Sequence, residues 1–417
     1  MFKNHLRNVC FGIILSFCFA SSVLAYDPSS DIKLEADYIL SCQFNNSSND
    51  AYGAINNVFG NPTWVVPGEN AVAIMGLSTA SKVLNDPVYV NKANLAADYL
   101  VRVQDNDGAW FDQYDYANSV SGAGKSLRHT AEVVMAFDKL GFNAARYDSI
   151  KKASQFIIDC QNPINKGGID DGLVGGGKEA DGSYRSWRWT SDNAYAYQAL
   201  KTAANWAQQS GDHADAANFN NAASRVLDGI NNKLAASGNH WVRVVDSSGN
   251  VVSSEDRSDW ISYAPLMLDL PVQGVNPSDA GDWIHNNLQK LDGAVVWDDA
   301  SFSERKSPGY SFQAMLVWLD TAQSGYSDVA LNWAENSGLW QKVVDSNGVV
   351  GGWVDWVEQG NKPDDWQRFI DTSAYYIMVK NGGYDFKPTV TPEPVSMFLF
   401  GIGGLAMAVL KIKNKKV

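Results

Sequence analysis

Apolar residues along this chain recur at helical spacing in alternating segments, with turn-forming residues between them. Three of the segments end alike: Tyr38-Ile39-Leu40-Ser41-Cys42-Gln43, Tyr99-Leu100-Val101-Arg102-Val103-Gln104 and Phe156-Ile157-Ile158-Asp159-Cys160-Gln161. Their glutamines lie 61 and 57 residues apart, and each closes a helical pattern before a Gly- or Asn-rich loop. Weaker segments of the same kind follow at Ala214 to Ala236, Pro277 to Leu291 and Ser327 to Leu339; Phe219, Ala223, Val226 and Ile230 form one stripe in the first. A second set, rich in Ala, Tyr and Met, alternates with these. It is apolar on more than one face, as a helix inside a ring must be. Its members start near Glu69, Arg128, Asp192, Asp259, Tyr310 and Asp371, most behind a residue able to cap a helix.

Six helical hairpins of about 60 residues predict an all-α fold, an (α/α)6 toroid with six inner helices closed into a barrel inside six outer ones. Six units fill a ring, and the chain has no obvious polar capping repeat, so a closed ring is preferred to an open solenoid. The inner-helix starts then converge on one mouth. The loops leading to them are long, while the reverse connections are short, as at Gly141 to Ala144. Long loops in a compact fold are usually functional. Cys42 and Cys160 take equivalent places on outer helices one and three, which are not neighbours. A disulfide needs Cα atoms within about 7 Å, so these two thiols are expected not to pair.

The ends read differently from the body. Residues 1–25 carry Lys3 and Arg7, an apolar core from Val9 to Ala20, and small residues before Tyr26, the pattern of a secretory leader. Residues 26–386 form the toroid domain. Residues 387–417 are a linker and tail: Pro392-Glu393-Pro394, the apolar run Val395 to Leu410 as a transmembrane segment, then Lys411, Lys413, Lys415 and Lys416. This tail resembles the PEP-CTERM sorting signal of Gram-negative bacteria, with Lys where that family favours Arg. The resemblance implies recognition by an exosortase, membrane anchoring before processing, and a place in the cell envelope, surface or extracellular matrix.

Charge narrows the partners. The net charge is −13. Without the six positive charges of the leader and tail the body stands at −19, which repels nucleic acid and disfavours a strongly anionic polymer. Of the 15 tryptophans, Trp64, Trp110, Trp187, Trp189, Trp241, Trp297, Trp353, Trp356 and Trp366 fall on the long loops.

The body, from about 30 to 385, resembles the six-hairpin glycosidase superfamily in its repeat, its aromatic loops and its acidic inner-helix starts at Asp192 and Asp371. That likeness implies a glycoside hydrolase using Asp or Glu at the barrel mouth. Gln104-Asp105-Asn106-Asp107-Gly108-Ala109-Trp110 also fits the Gln-x-x-x-Gly-x-Trp repeat of squalene-cyclase-like toroids, but the Asp-x-Asp-Asp acid of those cyclases is missing.

Glycoside hydrolysis needs an acid for the leaving oxygen and a base or nucleophile. Helix N-termini stabilise ionised carboxylates, so Asp192, Asp371 and Asp259 suit the base or nucleophile. Asp192 and Asp371 would face one another across the ring. Loop candidates for the acid are Asp112, Asp115, Glu179, Glu255 and Glu304. Trp110, Trp187, Trp189, Trp353 and Trp366 offer faces for sugar rings, and Arg128, His129, Arg185, Arg188 and Tyr310 polar contacts. His129, Tyr310, Asn193 and Arg128 also suit a lyase on a uronate-containing polymer, the second reading; a non-catalytic glycan-binding or matrix protein is the third. His213, His240 and His285 lack ligand spacing, and Asp105 to Gly108 reads as a turn, so neither metal nor cofactor is expected.

Overall fold

The computed structural model describes residues 28–389, apart from 61–63, 116, 118, 123, 162–170, 236–238, 253–262, 297–305, 341, 343–347, 349 and 355–367. The expected leader and apolar tail therefore lie outside the described residues, as do Asp259, Glu255, Glu304 and Trp366. Among the described residues no helix is long and apolar enough to cross a membrane.

Outer and inner helices alternate along the chain. The outer ones are α1 (Ser29–Ser41), α3 (Pro87–Val103), α5 (Ala144–Gln161), α7 (His213–Gly229), α9 (Pro277–Asn287) and α11 (Ser324–Asn336). The inner ones are α2 (Pro67–Leu84), α4 (Leu127–Lys139), α6 (Thr190–Gln209), α8 (Ala264–Met267), α10 (Pro308–Asp320) and α12 (Ile370–Lys380). Each inner helix packs on the next, and α12 packs back on both α2 and α1. The ring is closed, as the repeat predicts. The inner helices carry the core: in α2 every residue from Asn70 to Ala80 is buried.

The repeated glutamines are joints between hairpins. Gln43 Nε2 donates to Gly53 O (3.0 Å) and to Lys92 O on α3 (2.9 Å). Gln104 does the same to Gly108 and to Ser149 on α5. Gln161 reaches Gly172 and Ala222 on α7, and Gln289 reaches Gly293 and Tyr326 on α11. Each side chain thus ties its own loop to the next outer helix. The glycine is needed because it has positive φ (+91° at Gly108) and lies against that helix's backbone, where a Cβ would strike Lys152 O. The Gln–Gly pair, in the Gln-x-x-x-Gly spacing at Gln104 and Gln289 and farther apart at Gln43 and Gln161, is a way to end an outer helix and seat its successor.

A second joint sits four residues into the inner helices. Asn70, Thr130, Asn193 and Ser311 each donate back to the carbonyl of the residue preceding the helix. Asn70, Asn193 and Ser311 also accept a loop N–H, from Ile55, Val174 and Val295. These bonds set the loops over the helix starts. Short ribbons stitch the rim further. β1 (Gln113–Tyr114) pairs with β2 (Val120–Gly122), β3 (Lys125–Ser126) with β4 (Gly177–Lys178), β5 (Arg188–Trp189) with β6 (Val244–Val245), and β7 (Trp353–Val354) with β8 (Arg368–Phe369).

The ring closes on a polar seam. Glu35 of α1 is fully buried and accepts from Trp340 Nε1 (2.6 Å) and Gly352 N (3.1 Å). Tyr38 donates its hydroxyl to Arg368 O, and Arg368 donates to Gly351 O (2.7 Å). Burial, opposed by these bonds and by Arg368, pushes the Glu35 carboxyl up to about 7. Cys42 and Cys160 are buried and form no disulfide, in keeping with their separation around the ring.

Candidate active site

The third position of the inner helices aligns Glu69, His129, Asp192 and Tyr310, counted from the capping residues Val66, Ser126, Trp189 and Ser307. In α12, counted from Phe369, that place belongs to Thr372, and Asp371 comes one residue early. Asp371 is the counterpart of Arg128 and Ser191 rather than of Asp192.

Three inner helices bring a polar cluster together. Arg128 and Glu132, one turn apart on α4, form an ion pair at 2.8 Å, with the Glu132 side chain 3 % exposed and Arg128 22 % exposed. The Arg128 guanidinium lies over the Tyr195 ring of α6, 5.1 Å from its centroid. The Tyr195 hydroxyl lies 3.4 Å from the Tyr375 hydroxyl of α12. Helices α6 and α12 thus meet across the barrel, one turn below Asp192 and Asp371, and this pair with Arg128 makes a floor. Gly68 of α2 closes the near wall: a Cβ there would collide with Glu132 Oε2 and His129 Cδ2.

Asp192 sits above this floor, 8 % exposed, with Gly176 of the preceding loop against it. Burial pushes its carboxyl up to about 6; Arg128 and Arg185 pull downwards, and Glu132 adds to the rise. The first-turn position suggested an ionised base. Desolvation outweighs the helix dipole here, so the group suits a proton donor instead. His129 is pushed the other way: burial holds its imidazole below the ordinary range and therefore neutral. Its buried Nδ1 has no hydrogen-bond partner among the described residues. Asp112, on the loop before β1, is held by Arg185 at 2.9 Å, and Arg185 also reaches Glu179 at 3.4 Å.

Several expected contacts belong to the core instead. Trp110 is fully buried, donates Nε1–H to Leu100 O (2.8 Å) and meets Phe137 edge-on. Trp353 is also fully buried and stacks on Trp340 at 4.9 Å. Arg188 is 3 % exposed; its guanidinium is committed to Asp171 (2.5 Å) and Ser247 O (3.2 Å). Tyr310, 5 % exposed, holds on α10 the third position that Asp192 holds on α6. Asn193 is spent on holding Val174. These correct the sequence expectation: the aromatic and Arg residues that follow the Gly-rich loops are anchors. Trp187 differs from these in being open to solvent. It is 41 % exposed beside Trp189, which Arg243 covers. Glu132, Tyr195 and Tyr375 were not singled out in the sequence; the spacing of four between Arg128 and Glu132 is the one signal that could have found the pair.

Among the described residues no group of His, Cys, Asp and Glu could hold a metal. The Asp105–Asp107 segment is a turn tied to Lys125 and Lys178.

No family model matches the chain, and no curated protein matches it in sequence. Solved structures share its fold. The D-mannose isomerase structure superposes with a TM-score of 0.63 at 15% identity, over 86% of this chain and 99% of that one. Cellobiose 2-epimerase from Bacillus thermoamylovorans B4167 gives 0.62 at 11%, over 84% and 98%. A wild-type glycosidase gives 0.62 at 11%, over 85% and 96%. At these identities the likeness establishes the fold, the (α/α)6 toroid.

Proposed function

We propose that the chain is a carbohydrate-active enzyme that hydrolyses a glycosidic bond in a polysaccharide, with Asp192 as its proton donor. The observation that carries this reading is the Asp192 carboxyl: buried at the mouth, over a floor of Arg128, Tyr195 and Tyr375, and raised to about 6. An acid that protonates a leaving glycosidic oxygen must keep its proton near neutral pH. The second carboxylate is Asp371, in the first turn of the helix that meets α6 across the barrel. It would activate water on the far face of the sugar, and a separation of about 6.5–9.5 Å between the two carboxyls would make the enzyme inverting. Arg128 and Trp187 would contact the sugar. The fold supports the class, since a D-mannose isomerase, a cellobiose 2-epimerase and a glycosidase share it.

The test is incubation with neutral polysaccharides and oligosaccharides. New reducing ends are expected, abolished in Asp192→Asn and in Asp371→Asn. Full activity in both variants refutes the assignment. An unsaturated product would indicate a lyase, for which Asn193 is committed to Val174 and Trp189, and binding without reaction would indicate a matrix protein.

One observation favours a second reading. The neutral His129, with its Nδ1 not engaged, could remove a proton beside a sugar carbonyl, as an isomerase or epimerase requires. Deuterium from solvent would then enter the sugar carbon, with no new reducing end.

Export and retention at the cell envelope complete the proposal. They rest on the leader and on Pro392-Glu393-Pro394 with its apolar run and lysines. Fractionation of cells making the chain with and without residues 390–417 tests this; an unchanged distribution counts against a role for the tail.

A further inference from the structure

The end of the barrel opposite the mouth is crossed by the chain itself. After α12 the backbone turns at Gly382 and Gly383 and runs over the C-terminal ends of α2, α4 and α6. This strap is bolted down. Asp138, 2 % exposed at the end of α4, accepts from Trp206 Nε1 (2.8 Å), Thr389 N (2.7 Å) and Thr389 Oγ1 (2.8 Å). Asn205 donates to Thr389 O (2.6 Å) and Lys139 to Lys387 O (2.5 Å). Lys387 pairs with Asp269, and Phe386 is buried against Tyr384. Cavities of about 750 and 670 Å³ flank the strap on either side.

Thr389 is therefore a fixed exit point on the base. Val395, where the apolar run starts, follows six Cα steps later. Even fully extended, six steps reach only about 20 Å. The barrel is taller: the 20 residues of α6 rise about 30 Å. We infer that, with Val395 to Leu410 seated in a bilayer, the base faces the lipid and the mouth opens away from it. The tether is too short to let the body invert without pulling Thr389 off Asp138. The substrate then comes from the aqueous side, as a soluble or matrix glycan. The inference rests on the membrane reading of the tail and is independent of the reaction catalysed.

Two single-cysteine probes test it, in the chain from Tyr26 to Val417 reconstituted into phosphatidylethanolamine–phosphatidylglycerol vesicles. Val83→Cys reports the base, where Val83 is 37 % exposed. Asp181→Cys reports the rim, in the exposed turn after β4. The buried Cys42 and Cys160 stay unlabelled in the folded protein. With nitroxide headgroup lipids, the base fluorophore is expected to lose most of its emission and the rim fluorophore almost none. A long Gly-Ser insertion after Thr389 should restore the base emission. Equal quenching at both positions, or stronger quenching at the rim, overturns the orientation. Flotation separates the two possible failures. If the chain does not float with vesicles, or floats equally when ended at Thr389, the tail is not the anchor and the inference falls with it.

Discussion

Replacing Asp192 by Asn should make the protein more stable at alkaline pH while abolishing its activity. In an unfolded chain the carboxyl titrates near its ordinary value of 3.8, and in the folded protein near 6. Between these values the native state holds a proton that the unfolded state has lost, so stability falls as pH rises. Each unit is worth about 1.36 kcal/mol, so the fall approaches about 3 kcal/mol by pH 8. The asparagine variant carries no such group. Urea unfolding of both proteins at pH 4 and pH 8 isolates the effect, because titrating groups that do not interact with Asp192 cancel in the double difference. The variant should gain up to about 3 kcal/mol on the parent between the two pH values. A double difference within about 0.5 kcal/mol, the size of an ordinary surface change, would mean that Asp192 ionises without penalty. The proton-donor assignment would then have lost its physical basis. The same carboxyl should set the alkaline limb of the activity profile, with activity declining as pH passes about 6.

Three further outcomes follow from the geometry. Gly68→Ala places a methyl against Glu132 and His129; it should cost about 1–3 kcal/mol by overpacking and depress kcat while circular dichroism stays native-like. Glu35→Gln should flatten the pH dependence of stability between 4.5 and about 7, where the parent weakens as its raised carboxyl ionises; an unchanged slope would remove Glu35 as its source. A thiol reagent should leave Cys42 and Cys160 unmodified in the folded protein, since both are buried and burial pushes Cys42 up to about 12. In denaturant without reductant both should react, and a failure to do so would indicate an unseen disulfide.

The toroid was legible because its joints repeat. A glutamine that must reach both its own loop and the next outer helix recurs with little freedom, and so does a glycine lying against a neighbour's backbone. The mouth was legible in position, through the helix starts, and less so in chemistry. Tryptophan and arginine look the same in sequence whether they plug the core, like Trp110 and Arg188, or face solvent, like Trp187. What separates them is burial by loops from other hairpins. The ionisation of Asp192 was misjudged for the same reason: the helix start is local, whereas the charges of Arg128 and Glu132 come from α4 and the close contact at Gly176 from a loop. Glu132 lay hidden in a helical pattern, its meaning supplied only by Arg128 one turn away.

The contact between Tyr195 and Tyr375 makes the site a report on completed folding. One half of the floor comes from the third hairpin and the other from the last inner helix, which is held in place by the first helix of the chain. Early hairpins can stack as they emerge, but none of them contains a working floor. A chain arrested before residue 375 would hold Asp192 over an unfinished floor. Under the proposed reading, a chain whose two ends have not met has no complete site, whichever compartment it folds in.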